Sequence, residues 1–471
     1  MTKDWATFGV DLHLDLDAST GRRSGLERAL REAIRSGRLA PNARLPSTRA
    51  LAAELRLARN TVVAAYDQLV AEGYLAARTG SSTTVAGQAE RPAPAAAPPR
   101  EAPRSEPRFD LRPGSPDVSA FPVAEWVRAT RRALARAPMS AYDYGDPLGR
   151  IELRTALAEY LGRARGVLAT PHNILICSGY VQALALLARI VQGPIAMEEP
   201  GLWFHREVVR HAGADVLALP VDDQGARTDQ LGRGELSAAR AVVLTPAHQY
   251  PTGVTLQPGR RRAAAAWARA RDGLVIEDDY DGEYRYDRQP IGAVQGTAPD
   301  HVVYVGTAAK TLGPALRLAW MVLPERLVEP VAEAKRFTDA HTEAIGQLTL
   351  AELITSHSYD RHIRAGRLQY RWRRDLLVER LGDRHRLRGV AAGLHVLVDL
   401  PAAGPNEDAV CERAAAHGLA VGALGPHWHA PRPDAPQGLV VGYAGPRRAS
   451  YPAALDTLAR VLRVGRGRSR G

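Results

Sequence analysis

Residues 306–318 read Gly-Thr-Ala-Ala-Lys310-Thr-Leu-Gly-Pro-Ala-Leu-Arg317-Leu and follow an apolar run at 302–305 of strand length and β-branched composition. A lysine just beyond a strand is ordinarily a solvated side chain. This chain, however, holds only three lysines, Lys3, Lys310 and Lys335, among 62 basic residues. Where arginine serves almost everywhere else, a retained lysine points to a need for a primary amine. Such an amine can bond covalently to an aldehyde. Arg317, seven residues on, can return to the same place and bind phosphate.

Further apolar runs of strand length lie at 174–177, 195–197, 216–219, 241–244, 274–277 and 318–322, with helical patterns such as 260–271 between them. That alternation predicts an α/β layer with a mostly parallel sheet. Strands at 394–400 and 439–443 flank a helix at 406–417 and predict a smaller α+β part. Carboxylates closing a parallel strand face the ligand crevice. The run Ile276-Glu277-Asp278-Asp279-Tyr280-Asp281 does so, which places Asp278 to keep a pyridine nitrogen protonated and Tyr280 to donate to a ring hydroxyl. Ser178-Gly179-Tyr180, between the strand at 174–177 and a helix at 181–190, can cradle phosphate. A metal site is the rival reading of the acidic run. No histidine or further carboxylate is spaced along the chain to complete one, so no metal is expected.

Residues 21–85 hold eleven arginines against five acids, over half of the formal charge of +11. The excess suits a polyanionic partner. Leu26, Leu30, Ala33 and Ile34 share one helical face. Ser47 can cap a second helix through Leu51 and Leu55. Val62, Tyr66, Leu69 and Val70 mark a third, stopped near Gly73. Segments 74–78 and 82–85 then flank a Thr-Gly-Ser turn, as a hairpin does. Three helices and a hairpin wing suit DNA, with Arg59, Asn60 and Thr61 facing base edges and Arg49 facing phosphate. Residues 87–108 are rich in Pro and Ala without large apolar side chains and read as a linker.

The segment Arg44-Leu45-Pro46-Ser47-x-Arg49-x-Leu51-Ala52, the run Arg59-Asn60-Thr61-Val62 and the run Glu72-Gly73-Tyr74-Leu75 resemble the winged helix of GntR-type regulators. The resemblance implies DNA contacts at Arg49, Arg59, Asn60, Thr61 and the wing residue Gly80. Ala58 stands where that fold often has a small hydroxyl residue. The stretches Arg112-Pro113-Gly114, Tyr144-Gly145-Asp146-Pro147, Glu199-Pro200-Gly201, His248-Gln249-Tyr250-Pro251-Thr252-Gly253, Glu277–Asp281 and the Lys310/Arg317 segment resemble fold-type I aminotransferases, and more narrowly the MocR subfamily of GntR regulators. This resemblance covers residues 20–471. It implies pyridoxal 5'-phosphate held as an imine by Lys310, with Ser178, Gly179, Tyr180, Tyr250, Asp278, Tyr280, Thr307 and Arg317 around it. It also implies a homodimer in which Tyr144 reaches toward the neighbour's phosphate.

The expected architecture is a winged helix-turn-helix at 20–86, the linker at 87–108 and an aminotransferase-like domain at 109–471, its large part about 145–335 and its small part about 336–471. Three positions depart from the family's pattern. Leu202 stands where a tyrosine usually covers the ring, so either Trp203 takes that role or apolar cover replaces it. Tyr180 and Ala309 replace the usual small residue and serine. Aminotransferases anchor the substrate carboxylate with an arginine near the last strand; 437–443 contains none, and Arg432 and Arg447 are offset. The expected function is a DNA-binding regulator that senses pyridoxal phosphate or its adduct with an amino acid, and that controls vitamin B6 or amino-acid genes. The alternatives are an active aminotransferase with an appended winged helix, and a dimerisation platform without cofactor. No apolar run of eighteen residues, no apolar leader in residues 1–8 and only Cys177 and Cys411 as cysteines lead to the expectation of a cytoplasmic protein.

Overall fold

The computed structural model describes residues 21–77, 82–86, 107–286, 291–432 and 434–463. The chain divides into two compact units, residues 1–104 and 105–471. Gly80, the tip of the wing and nearly all of the 87–108 segment lie outside the described residues.

In the first unit, α1 (Arg22–Arg35), α2 (Thr48–Glu54) and α3 (Arg59–Ala71) precede a two-stranded antiparallel ladder, β1 (Leu75–Ala76) with β2 (Thr84–Val85). Leu26, Leu30, Leu51, Val62, Tyr66, Leu69 and Val85 form one buried core. Ile34 and Val70 lie at its margin rather than inside it. Ser47 caps α2 by accepting from the Ala50 amide at 3.2 Å. The Tyr66 hydroxyl donates to the Pro46 carbonyl at 3.1 Å and ties α3 to the turn before α2.

The second unit, whose first α-helices are α4 (Val123–Arg136) and α5 (Ile151–Arg165), is built on a mixed sheet. Its strands are β3 (Ile174–Cys177), β4 (Ile195–Glu199), β5 (Val216–Asp222), β6 (Gly225–Ala226), β7 (Ala241–Leu244), β8 (Leu274–Asp279), β9 (Val302–Thr307) and β10 (Ala319–Val322). Their order is β3-β10-β9-β8-β7-β4-β5-β6. Neighbours from β9 to β5 run parallel, while β10 is antiparallel to both β9 and β3. Apolar cores lie on both faces, one against α6 (Tyr180–Val191) and α9 (Glu325–Asp339), the other against α8 (Pro258–Arg271). Both-sided burial is why these strands read as unbroken apolar runs. The smaller part carries a sheet ordered β11 (Leu387–Arg388), β12 (His395–Asp399), β14 (Gly438–Gly442), β13 (Gly422–Ala423).

Strand register does the positioning. Cys177 and Thr307 both pair with Ala319, and Gly306 pairs with Asp279. The segments leaving those rows are Ser178-Gly179, Ala308–Lys310, and Arg317 on its way into the antiparallel β10. The antiparallel strand therefore delivers Arg317 to the end of the sheet at which the parallel strands deliver their turns.

Candidate functional site

At that end lies a cleft of about 300 Å³. Of the residues predicted from sequence, Gly179, Tyr180, Tyr250, Asp278, Tyr280, Thr307, Lys310 and Arg317 line it, and Ser178 borders it through its bond to Arg317. The acidic run is split by the strand pleat, because neighbouring residues point to opposite faces. Glu277 accepts from the Val294 and Gln295 amides at 2.9 Å each, and Asp279 pairs with Arg165. Asp278 faces the cleft between them.

Asp278 is 4 % exposed, and its Oδ1 has no hydrogen-bond partner. Burial raises its carboxyl well above the usual carboxylate range, with Asp279, Glu198 and Asp281 adding to the rise. The Tyr180 hydroxyl is near enough to oppose that shift, yet by geometry it makes no bond to Oδ1. A buried carboxylate oxygen without a donor is costly, and a protonated ring nitrogen is a donor of the required kind.

Thr307 pins the turn before Lys310: its hydroxyl donates to the Leu318 carbonyl at 3.2 Å and accepts from the Ala309 amide at 3.1 Å. Lys310 is half-buried, and its Nζ donates to the Gly114 carbonyl. Burial lowers its pKa against the pull of Asp281 and Asp278, which raises the share of neutral, nucleophilic amine.

Gly179 caps α6 at φ +103° without a side chain, so the first amides of that helix lie open to an anion. A Cβ at Gly179 would stand 2.6 Å from Arg317 Nη2, which donates to the Ser178 carbonyl at 2.5 Å. Gly179→Ala would push the guanidinium aside and strain the backbone by about 1–3 kcal/mol. Phosphate-bearing ligands are expected to bind about tenfold more weakly or worse. Titration of the variant with pyridoxal phosphate checks this, and unchanged affinity would exclude Gly179 from the cradle.

Two predicted residues lie elsewhere. Trp203 is 47 % exposed and packs edge-on against Phe204, outside the cleft. The helix α7 (Trp203–His211) turns Leu202 and His205 inward instead, three residues apart on one face. His205 lies against the Tyr180 ring at 4.6 Å, and burial lowers its pKa to about 3. Leu202 and His205 thus line the cleft, and Trp203 does not. Tyr144 is 89 % exposed, with its ring edge toward His341.

The last strand of the small part, β14, carries no arginine. Val440, on β14, packs with Leu397 and Leu424 beside Tyr250 and Trp428. Arg206, the other arginine lining the cleft besides Arg317, is spent on the carbonyls of Gly201, Pro426, His427 and Trp428. Arg432 lies over the Trp428 ring. Tyr250 faces His427 and His395, and the Tyr280 hydroxyl donates to the His248 carbonyl at 2.9 Å. Sequence reading missed His205, His248 and His395, since lone histidines carry no local signal. The set present fits pyridoxal phosphate: an amine, an unpartnered buried carboxylate oxygen, and a glycine cradle beside an arginine.

In the first unit, Arg49, Arg59 and Asn60 are exposed and Thr61 half-buried. Ala58 caps α3 with no side-chain bond.

Fold and site together define a winged helix joined to a fold-type I aminotransferase-like body. The family model for bacterial regulatory proteins of the gntR family matches residues 23–85, and that for aminotransferase class I and II matches 109–424. The pyridoxine biosynthesis transcriptional regulator PdxR of Corynebacterium glutamicum is 33 % identical over 426 residues, covering 89 % of this chain and 91 % of that one. The probable rhizopine catabolism regulatory protein MocR of Rhizobium meliloti is 33 % identical over 463 residues, covering 92 % of each. Kynurenine aminotransferase of Pyrococcus horikoshii, solved in complex with PMP, superposes with a TM-score of 0.69 at 25 % identity, over 77 % of this chain and 92 % of that one. The chain belongs to the MocR-type regulators of the GntR family.

Proposed function

We propose that this chain regulates transcription by binding operator DNA through its winged helix, and that its aminotransferase-like body holds pyridoxal phosphate at Lys310 and reports its occupancy. The observation that carries the reading is the unpartnered Oδ1 of Asp278 in the same cleft as the Lys310 amine. Bound there, the cofactor supplies an aldehyde that takes up an amine and a ring that withdraws electrons. Asp278 holds a proton on the ring nitrogen, Arg317 and the start of α6 hold the phosphate, and Leu202 with His205 exclude water. The lack of an arginine in 437–443, near which an anchor is usual, favours the cofactor itself as signal over an amino acid, and regulation over turnover. The relative named for pyridoxine biosynthesis makes vitamin B6 genes the first targets to assay. The body works as a homodimer, with the exposed Tyr144 directed toward a second copy and two winged helices reading two half-sites.

The test is binding to fragments of the promoter beside its own gene, with and without pyridoxal phosphate. A ligand acts only through its differential affinity for two arrangements. The expected coupling is about 5–150-fold in DNA affinity. Arg59→Ala is expected to weaken specific binding by about 1–3 kcal/mol, while cofactor absorption stays intact. Steady keto-acid production without any specific DNA binding would instead establish the aminotransferase.

A further inference from the structure

We infer that His248, Asp281 and His395 form a site for one divalent transition cation of the zinc class, beside the cofactor cleft. The three side chains are buried, and one donor atom of each lies within 4.8 Å of the others. They come from the turn after β7, the end of the acidic run and the first residue of β12, so only the tertiary fold assembles them. His248 Nδ1 and Asp281 Oδ2 stand 2.9 Å apart. Two ligands of one tetrahedral zinc stand about 3.3 Å apart, given bonds of about 2.0–2.1 Å.

A plain His248–Asp281 hydrogen bond does not account for what surrounds it. His248 Nε2 and His395 Nε2 are both buried without a hydrogen-bond partner. The rings of the two histidines are 4.7 Å apart. Each unpartnered buried nitrogen calls for an explanation, and a shared cation supplies one for His395. Gly393, at φ +72°, lets the loop before β12 close over the pair: a Cβ there would stand 2.1 Å from the His248 ring and 2.6 Å from Asp281 Oδ2. Two imidazoles and one carboxylate suit zinc, cobalt or nickel, whereas magnesium and calcium require shells of oxygen. His395 also lines the cleft, which gives the ion a way in and leaves a coordination position for water. On binding, the proton between His248 Nδ1 and Asp281 moves to the free Nε2 of His248, so the ion meets a neutral imidazole at Nδ1 and a carboxylate at Asp281. The ion then ties β12 of the small part to the large part next to Tyr280, whose hydroxyl is 3.2 Å from His248 Nδ1.

The test uses the untagged full chain, stripped of metal by chelator and free of pyridoxal phosphate, titrated with Co²⁺. The expected result is a visible cobalt absorption that saturates at one equivalent per chain and is displaced by Zn²⁺. His395→Gln, checked for an unchanged circular dichroism spectrum, loses the absorption, and Lys310→Ala keeps it. If His395→Gln fails to fold, Asp281→Asn takes its place. Wild-type protein without cobalt absorption overturns the site, and so does the same one-equivalent binding in a folded His395 or Asp281 variant.

Discussion

Lys310→Ala, purified with pyridoxal phosphate, is expected to show no visible absorption band from a covalently held cofactor, where the wild type shows one. The loss should be complete, because no other amine among the described residues can substitute. Lys335, the other lysine among the described residues, is fully buried on α9 and donates to Asp339 at 2.6 Å. Asp339 is held in turn by Gln182 Nε2 at 2.7 Å. Arg317, the open amides of α6 and Asp278 survive the substitution, so the variant should still bind the cofactor reversibly, and dialysis should remove it. Adding amino acids to the wild type divides the remaining readings. A band that needs Lys310 and ignores every amino acid makes the cofactor the signal, in keeping with the apolar cluster around Val440. A band that shifts with one amino acid names the effector and requires some group other than a last-strand arginine to hold its carboxylate. A full band in Lys310→Ala would sink the assignment of the amine.

The fold, and the polar groups that share the candidate cleft, were legible because they rest on local patterns. Doubly buried strands read as apolar runs, and their alternation with helices gave the layer. The rarity of lysine singled out Lys310, and a carboxylate run closing a strand singled out 276–281. Other features depend on phase or long-range closure. Asp278 differs from Glu277 and Asp279 only through the pleat, since β8 continues to Asp279 rather than stopping at 277. Trp203 fell outside the cleft because α7 begins at that residue, and helical phase then brings in His205. His248, Asp281 and His395 meet across as many as 147 positions of sequence, and no spacing rule reaches that far.

Arg165→Met is expected to destabilise the aminotransferase-like body by about 3–5 kcal/mol, because it leaves a buried carboxylate without its cation. The side chains of Arg165 and Asp279 are 3 % and 1 % exposed. The guanidinium meets the carboxylate at two points, Nε to Oδ2 at 2.7 Å and Nη2 to Oδ1 at 3.0 Å. Its remaining nitrogen donates to the Ile291 carbonyl at 3.0 Å, and Tyr304 donates to Asp279 Oδ2 at 2.6 Å. Methionine keeps the apolar stem but removes every one of Arg165's donors. Six of the seven tryptophans lie in residues 105–471, so fluorescence during urea unfolding follows this unit. Asp279 is also next to Asp278 on β8. A carboxylate driven to find water there should disturb the strand end and weaken cofactor retention along with stability. The triple variant Arg165→Met, Asp279→Leu, Tyr304→Phe removes the charges and the stranded hydroxyl together. It should recover most of the lost stability, since an ion pair replaced by apolar groups of similar volume costs little. Cofactor retention should recover with it if Asp278 is held by the position of the strand end. If stability returns without retention, Arg165 and Asp279 serve the site through their charge as well as through packing. A loss below about 1 kcal/mol in Arg165→Met would mean that Tyr304 and entering water hold Asp279 without the arginine.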